Sequence, residues 1–200
     1  MKTIPQITTK YTNIVQKKEY LVLHRTLGNY PSDLKWLVNN KPNTTKDDEI
    51  SAQFYIPPQG GIYEMVDQRG NSLRNKSLWH SGKIFNPSER ARKVLKKKWW
   101  DGQWENPNYR STGVELSART KNTIFKEVQM RDLVILAREL DIPIITHFDI
   151  DSRKPLMEDW LDELLKRLSE KQLNNWILNA IDNGFTEQQA IFLHNELKDI

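Results

Sequence analysis

The sequence predicts an α/β fold, with a central mixed β-sheet flanked by helices and a helical C-terminal extension. Two apolar runs, residues 20–24 and 142–147, have the composition of buried strands, and each ends in a histidine. A helical pattern over residues 127–140 comes just before the second run. Strands that alternate with helices along a chain are typical of α/β domains.

The first elements can be placed by their composition. Residues 1–19 are polar and predict a lead-in arm before the strand at 20–24. The sequence over 28–32 predicts a turn, after which Ser32 or Asp33 can cap a short helix.

A hairpin and a long polar stretch come next. Residues 51–56 and 62–66 predict two paired strands, because the prolines and glycines between them favour a turn outside the ladder. Residues 67–110 are polar and predict a long loop. In a compact domain, such a loop is usually functional or holds short elements. Residues 112–116 predict a further strand.

The remaining elements are helical apart from the second histidine-terminated strand. The helix at 127–140 can turn Val134, Ile135, Ala137 and Leu140 towards the sheet. Apolar stripes after residue 158 predict further helices. We therefore expect a main domain over residues 1–168 and a helical extension over residues 169–200.

Composition narrows the class of protein. With 38% hydrophobic residues, this 200-residue chain can build a core, unlike a disordered chain. It has no cysteine, which excludes disulfides and thiolate metal sites. The first residues lack the apolar core of a signal peptide, and no stretch approaches the roughly 20 apolar residues of a membrane helix. We expect a cytoplasmic protein that does not insert into a membrane.

The net charge of +4 suits an anionic partner such as a cell-wall polymer or a nucleic acid. The longest basic segment, residues 90–98, gives a third and weaker hypothesis, a nucleic-acid-binding domain that uses this segment. The net charge of the chain is too mild to indicate either partner, and a solvated surface is the simpler interpretation of the segment.

Two of the four histidines, His24 and His147, stand at the ends of predicted core strands. Strand ends can aim imidazoles into a shared cleft. Neutral imidazole is the commonest metal ligand near physiological pH. Without thiolates, any zinc here must be held by histidine and carboxylate.

Five short segments follow one another along the chain: Val22–Thr26, Ser51–Phe54, Trp79–Gly82, Ser111–Glu115 and Thr146–Ile150, the last followed by Arg153 and Lys154. In their order and in their positions relative to the strands and the helix, they resemble the type-2 N-acetylmuramoyl-L-alanine amidases, a zinc amidase fold shared with peptidoglycan recognition proteins. The resemblance covers roughly residues 20–165. It implies an enzyme that cuts peptidoglycan or muropeptides, acting as a phage endolysin released to the cell wall or as a cytoplasmic recycling amidase.

The resemblance also implies roles for particular residues. His24 and His147 match the two histidine ligands of zinc. Glu115 matches the carboxylate that serves as general base in one branch of the family. Lys154 matches the basic residue that stabilises the oxyanion, a part that Arg153 could also take.

Three further positions are implied to lie on the substrate cleft. Trp79 and His80 match a Trp-His segment of the cleft. Gln53 stands where many relatives carry a histidine beside it.

The third zinc ligand departs from the family pattern. Relatives carry Asp or Cys two residues after the lysine, where this chain has Leu156, which cannot bind zinc. Glu158 is our candidate for the ligand, with Asp159 and then Asp151 as alternatives. A protein of this fold that binds muropeptide without cutting it is the alternative function.

Overall fold

The computed structural model describes residues 3–6, 11–15, 17–26, 28–38, 51–66, 76–78, 80–118, 125–154, 160–169, 186 and 188. The chain divides into two compact units, Met1–Leu161 and Asp162–Ile200. Every named strand and helix belongs to the first unit.

The described part of the first unit holds eight strands and five helices. The strands are β1 (Ile4–Pro5), β2 (Tyr11–Val15), β3 (Tyr20–Thr26), β4 (Phe54–Ile56), β5 (Tyr63–Glu64), β6 (Lys76–Leu78), β7 (Ser111–Ser117) and β8 (Ile144–Thr146). The helices are α1 (Ser32–Val38), α2 (Glu89–Val94), α3 (Pro107–Arg110), α4 (Glu127–Leu140) and α5 (His147–Ile150).

Six strands form one mixed sheet in the order β1-β5-β4-β7-β3-β8. β3 pairs in parallel with both β7 and β8, and β4 pairs in parallel with β7. β4 and β5 form the predicted antiparallel hairpin, while β2 and β6 pair separately. The predicted mixed sheet with flanking helices is confirmed.

The central strands β3 and β7 are covered on both faces of the sheet. Residues 20–24 of β3 are all buried, as are all seven residues of β7. β3 is the continuous apolar run expected of a parallel strand covered on both faces. β7 has the sequence Ser-Thr-Gly-Val-Glu-Leu-Ser and buries its hydroxyl groups and Glu115 instead. One core cluster joins β3 and β8 to α2 and α5. It consists of Tyr20, Val22, Ala91, Leu95, Ile145 and Ile150.

Helix α4 has the predicted bounds. Its buried apolar face consists of Met130, Leu133, Val134, Leu136 and Ala137. The prediction that Ile135 faces the sheet is wrong, since 41% of that residue is exposed. At 100° per residue, position 135 lies opposite 133 and 137 on the helix. Gln129 ties α4 to the sheet by donating to the backbone oxygens of Ile56 and Ser117.

The predicted N-terminal arm contains two strands. β1 pairs in parallel with β5, through Ile4 N donating to Ile62 O and Gln6 N donating to Glu64 O. Pro5 lies between these two donors, where no amide hydrogen is needed, as expected for proline on an edge strand. A strand of two residues forms because it pairs with its neighbour β5. It is too short to show an alternating apolar pattern in the sequence.

The predicted loop over residues 67–110 contains β6, α2 and α3. Each of the two helices begins with a polar cap. Ser88 Oγ accepts from Ala91 N, and Asn106 Oδ1 accepts from Asn108 N, with Pro107 next to the cap. These caps are readable in the sequence, but the helices are too short for a hydrophobic period.

Residues 160–169 are helical, as predicted from the apolar stripe there. The rest of the predicted C-terminal extension falls almost wholly outside the described residues. Within the described ranges, no helix has the length and apolar character needed to cross a membrane.

Candidate active site

His24 and His147 come together because their strands are neighbours. β3 and β8 run in parallel, with Leu23 opposite Thr146, so both strands end at the same edge of the sheet. His24 lies near the end of β3, and His147 is the first residue of α5, directly after β8. Their Nδ1 atoms are 2.9 Å apart.

A capped turn holds His147 in place. Thr146 Oγ1 accepts from Asp149 N, while Asp149 Oδ2 accepts from Thr146 N and Thr146 Oγ1 at 2.8 and 2.9 Å. Ser88 Oγ donates to the other oxygen of Asp149 at 2.6 Å, which links this turn to α2. Asp149 is therefore a buried structural carboxylate that fixes the start of α5.

A third histidine joins the pair. His80 is buried, and its Nδ1 is 2.9 Å from His24 Nε2. Asn108 holds the loop that carries His80, because its Oδ1 accepts from the backbone N of His80 and of Ser81. Gly113 leaves space for the ring: a Cβ at that position would lie 2.5 Å from His80 Cγ.

All three imidazoles are held in the neutral form. Burial lowers the pKa of His24 and of His80 well below the ordinary value, and nearby positive charge acts in the same direction. Burial and the Lys154 ammonium lower the pKa of His147 to about 4. Neutral imidazoles have the lone pair that a metal requires.

Glu115 lies on the strand next to His24. The two residues are register partners on the parallel strands β7 and β3, so their side chains leave the same face of the sheet. Glu115 is buried, and burial followed by the charge of Asp33 raises its pKa to about 8.

Asp33 is itself buried and fully engaged. Its carboxylate accepts from Tyr55 Oη at 2.7 Å, Ser117 Oγ at 2.7 Å, Thr26 Oγ1 at 3.0 Å and Leu34 N at 3.0 Å. The sequence indicated Asp33 only as a possible helix cap. Its side-chain partners come from three strands and could not be read from local spacing.

The two predicted cations differ in their surroundings. Arg153 makes a two-pronged ion pair with Asp151, with N···O distances of 2.8 and 2.9 Å, and stacks over Phe85. Lys154 is exposed, and its charge contributes to the lowered pKa of both His24 and His147. The positive charge of Lys154 therefore acts on the histidine pair, whereas the guanidinium of Arg153 forms an ion pair with Asp151.

Gln53 is fully buried in the sheet. Its Oε1 accepts from Gly113 N at 2.6 Å, beneath the His80 ring. Substrate contact by Gln53 stays a prediction, and the hydrogen bond gives it a structural role as well. Trp79 and Glu158 lie outside the described residues.

His24 and His147 could supply two of the protein ligands of a zinc ion. Two neutral imidazoles direct Nδ1 atoms at each other, and His147 Nε2 is buried with no hydrogen-bond partner among the described residues. No group of three His, Asp or Glu side chains within those residues is arranged to hold a metal. Asp151, one of the alternative third ligands, is occupied by Arg153.

The basic segment 90–98 is largely paired with carboxylates. Lys96 contacts Glu19 at 2.9 Å, and Arg90 lies 3.6 Å from Asp149. Lys93 and Lys98 have partners at 3.9 and 3.8 Å. These four ion pairs offset part of the positive charge of the segment.

Sequence reasoning missed two residues that position the site, Asn108 and Ser111. Asn108 holds the His80 loop, and Ser111 Oγ lies 3.0 Å from His80 Nε2. The pair Asn106 and Pro107 is typical of the start of a helix. It could have predicted α3 and so drawn attention to Asn108, the next residue.

Comparison with known proteins identifies the family. The family model described as N-acetylmuramoyl-L-alanine amidase matches residues 15–155, more than half of the chain. No curated protein sequence matches the chain significantly.

Solved structures share the fold at low identity. A selenomethionine derivative of AmpD is 18% identical, with a TM-score of 0.56 over 81% of this chain and 93% of its own. The amidase LysC from Clostridium intestinale URNW is 16% identical, with a TM-score of 0.53 over 83% and 99%. A mutant of PlyL is 12% identical, with a TM-score of 0.56 over 84% and 99%. By the family match, this chain belongs to the N-acetylmuramoyl-L-alanine amidase family.

Proposed function

We propose that this protein hydrolyses the amide bond between N-acetylmuramic acid and the L-alanine of the stem peptide. The observation that carries the proposal is the 2.9 Å approach of His24 and His147 next to Glu115, at one edge of the sheet. Membership of the amidase family supports the reaction class.

Zinc is the metal that suits this donor set, since the chain has histidine and carboxylate but no cysteine. His24 and His147 would hold it through Nδ1, and Glu158 is our candidate third ligand. Bound zinc supplies a water of lowered pKa and polarises the scissile carbonyl.

The chain's own groups would carry the proton and the charge. Glu115 would accept a proton from the attacking water and deliver it to the leaving amine. Because burial raises the pKa of Glu115 to about 8, the base role predicts cleavage that increases as the pH rises towards 8 and the carboxyl group ionises. The Lys154 ammonium would stabilise the developing oxyanion, a contribution of typically a few kcal/mol.

A substrate contact is proposed at Trp79, while Gln53 supports the sheet beneath His80. The aromatic face of Trp79 would pack on the sugar or the peptide. His80 is buried against His24, so its effect on substrate would come through the position of that ligand.

The test is metal content together with cleavage. Purified protein should retain about one zinc per chain and release peptide from muropeptide, while H24A and H147A should lose both properties. E115Q should retain zinc and lose cleavage. Wild-type protein without zinc and without cleavage would refute the proposal.

A binding protein without catalysis is the second candidate. It is favoured by one observation: Leu156 stands at the family's third-ligand position, and the described residues supply no replacement. Retention on insoluble peptidoglycan in the presence of a chelator, without hydrolysis when zinc is restored, would select it.

The physiological setting follows from the substrate that is cut. We propose either an endolysin acting on the cell wall or a recycling amidase acting on soluble muropeptides. Release of peptide from intact sacculi would select the endolysin, and cleavage limited to soluble fragments would select the recycling enzyme.

A further inference from the structure

The three histidines belong to a longer chain of hydrogen bonds that ends on a backbone carbonyl. Pro107 O can only accept, and Ser111 Oγ lies 2.6 Å from it. Ser111 therefore donates its single hydroxyl proton to Pro107 O. Tyr20 Oη, at 3.2 Å, can donate to the second lone pair of the same oxygen.

Because Ser111 has used its proton, it can only accept from His80. His80 Nε2 lies 3.0 Å from Ser111 Oγ, so this nitrogen carries the hydrogen. In neutral His80 the remaining nitrogen, Nδ1, is then an acceptor.

Two groups approach that acceptor. Ser81 Oγ and His24 Nε2 are each 2.9 Å from His80 Nδ1. Each contact is a hydrogen bond only if the approaching group donates, and the two donors then share the one lone pair of Nδ1, which places the hydrogen of His24 on Nε2. His24 Nδ1 is then left with its lone pair, directed at His147 Nδ1.

We propose that Ser111 and His80 are positioning residues that fix His24 in its Nε2–H tautomer and present its Nδ1 lone pair to the site. The tautomer of one histidine is set by the hydrogen bond that its other nitrogen makes. In the metal-free protein His147 then donates from Nδ1, and its unpartnered Nε2 carries the lone pair.

The direct test is nitrogen-15 NMR of the metal-free, chelator-treated protein near pH 7. Long-range proton–nitrogen correlations distinguish the two tautomers of each imidazole. The chain has only four histidines, so single substitutions can assign every ring. We expect Nε2–H for His24 and His80 and Nδ1–H for His147. Nδ1–H at His24 or His80, or a mixture of tautomers there, would overturn the assignment.

Substitutions at His80 test whether this residue fixes the tautomer of His24. H80N keeps an acceptor oxygen close to the position of Nδ1 and should leave His24 in the Nε2–H form. H80A removes the acceptor and should leave His24 as a mixture of tautomers. S81A is the matched control, because it removes a donor to the same nitrogen and should change neither ring. A pure Nε2–H form of His24 in H80A would show that His80 does not position it.

The consequence for metal rests on the proposed function. Loss of a partner that orients a histidine ligand typically weakens metal binding about 10- to 100-fold. We expect this loss in H80A, measured by competition with a chelator, and near wild-type affinity in H80N and S81A. Wild-type affinity in H80A would overturn the positioning role. Failure of the wild type to bind zinc would instead refute the proposed function, while the NMR assignment would stand.

Discussion

Glu115 is a buried carboxyl group whose protonation affects stability. Its pKa is raised from an ordinary value of 4.5 to about 8, first by burial and then by the charge of Asp33. Between these two values the folded protein keeps a proton that the unfolded chain has released. Stability from this group is therefore full below pH 4.5 and is lost as the pH rises through 8.

We predict that E115Q removes this dependence. In metal-free protein, the free energy of unfolding of wild type relative to E115Q should fall by up to about 5 kcal/mol between pH 4.5 and pH 9. Urea unfolding at several pH values measures it. E89Q, at an exposed carboxylate, should track the wild type. A constant difference between wild type and E115Q would show that Glu115 titrates normally.

Gly113 is the second residue with a sharp prediction, because the His80 ring occupies the space of its missing side chain. G113A should destabilise the protein by about 1–3 kcal/mol through overpacking, and should displace His80 from His24. Thermal unfolding measures the first effect, and histidine NMR the second. G82A is the control, since a Cβ there meets nothing within 4 Å. Equal behaviour of the two variants would contradict the close packing.

Single residues of the site could be predicted only where a local sequence pattern indicates their position. His24 and His147 end apolar runs, so their positions could be read from the sequence and from the family resemblance. Asp33 and Ser111 could not, because their partners come from other strands and loops. A side chain's hydrogen bonds depend on tertiary placement, which local spacing does not encode.

Helix α5 has only four residues, so its caps must hold it. Asp149 accepts from both polar groups of Thr146 and also from Ser88. The turn that begins at Thr146 therefore aims His147, the next residue, at His24.

We predict that D149A loosens this turn. It should destabilise the protein by about 1–2 kcal/mol, as expected for loss of a helix cap, and should weaken zinc binding by misplacing His147. Denaturant unfolding and a metal competition assay check the two effects. D101N is a control, because Asp101 also accepts a backbone N–H but lies in an exposed turn. Unchanged zinc affinity in D149A would show that the turn does not set His147.

A helix or strand could be predicted from the sequence when its hydrophobic pattern was long or strong. α4 has a long hydrophobic pattern, β3 and the run that contains β8 are strongly apolar, and all three elements were found. β1, β6, α2 and α3 were missed, because they span only two to six residues. Elements so short are stabilised by pairing and caps rather than by an apolar stripe.

All the described site residues lie in the first compact unit, Met1–Leu161. We therefore predict that a chain ending at residue 168 folds and keeps the zinc affinity and cleavage rate of the full protein within a few-fold. Circular dichroism and muropeptide cleavage test this. An inactive but folded shorter chain would assign residues 169–200 to substrate binding or to completion of the site.

The approach of His24 to His147 also bears on how the protein folds. The two residues are 123 positions apart in sequence, and they meet only when β8 has docked beside β3. Closing so long a loop is entropically costly, so the pair has no preformed counterpart in the unfolded chain. Any ion or ligand held there binds the native state alone and raises the stability of the whole sheet by mass action. Ligand loading would then report completed folding, and chelation would lower the global unfolding midpoint rather than loosen one loop.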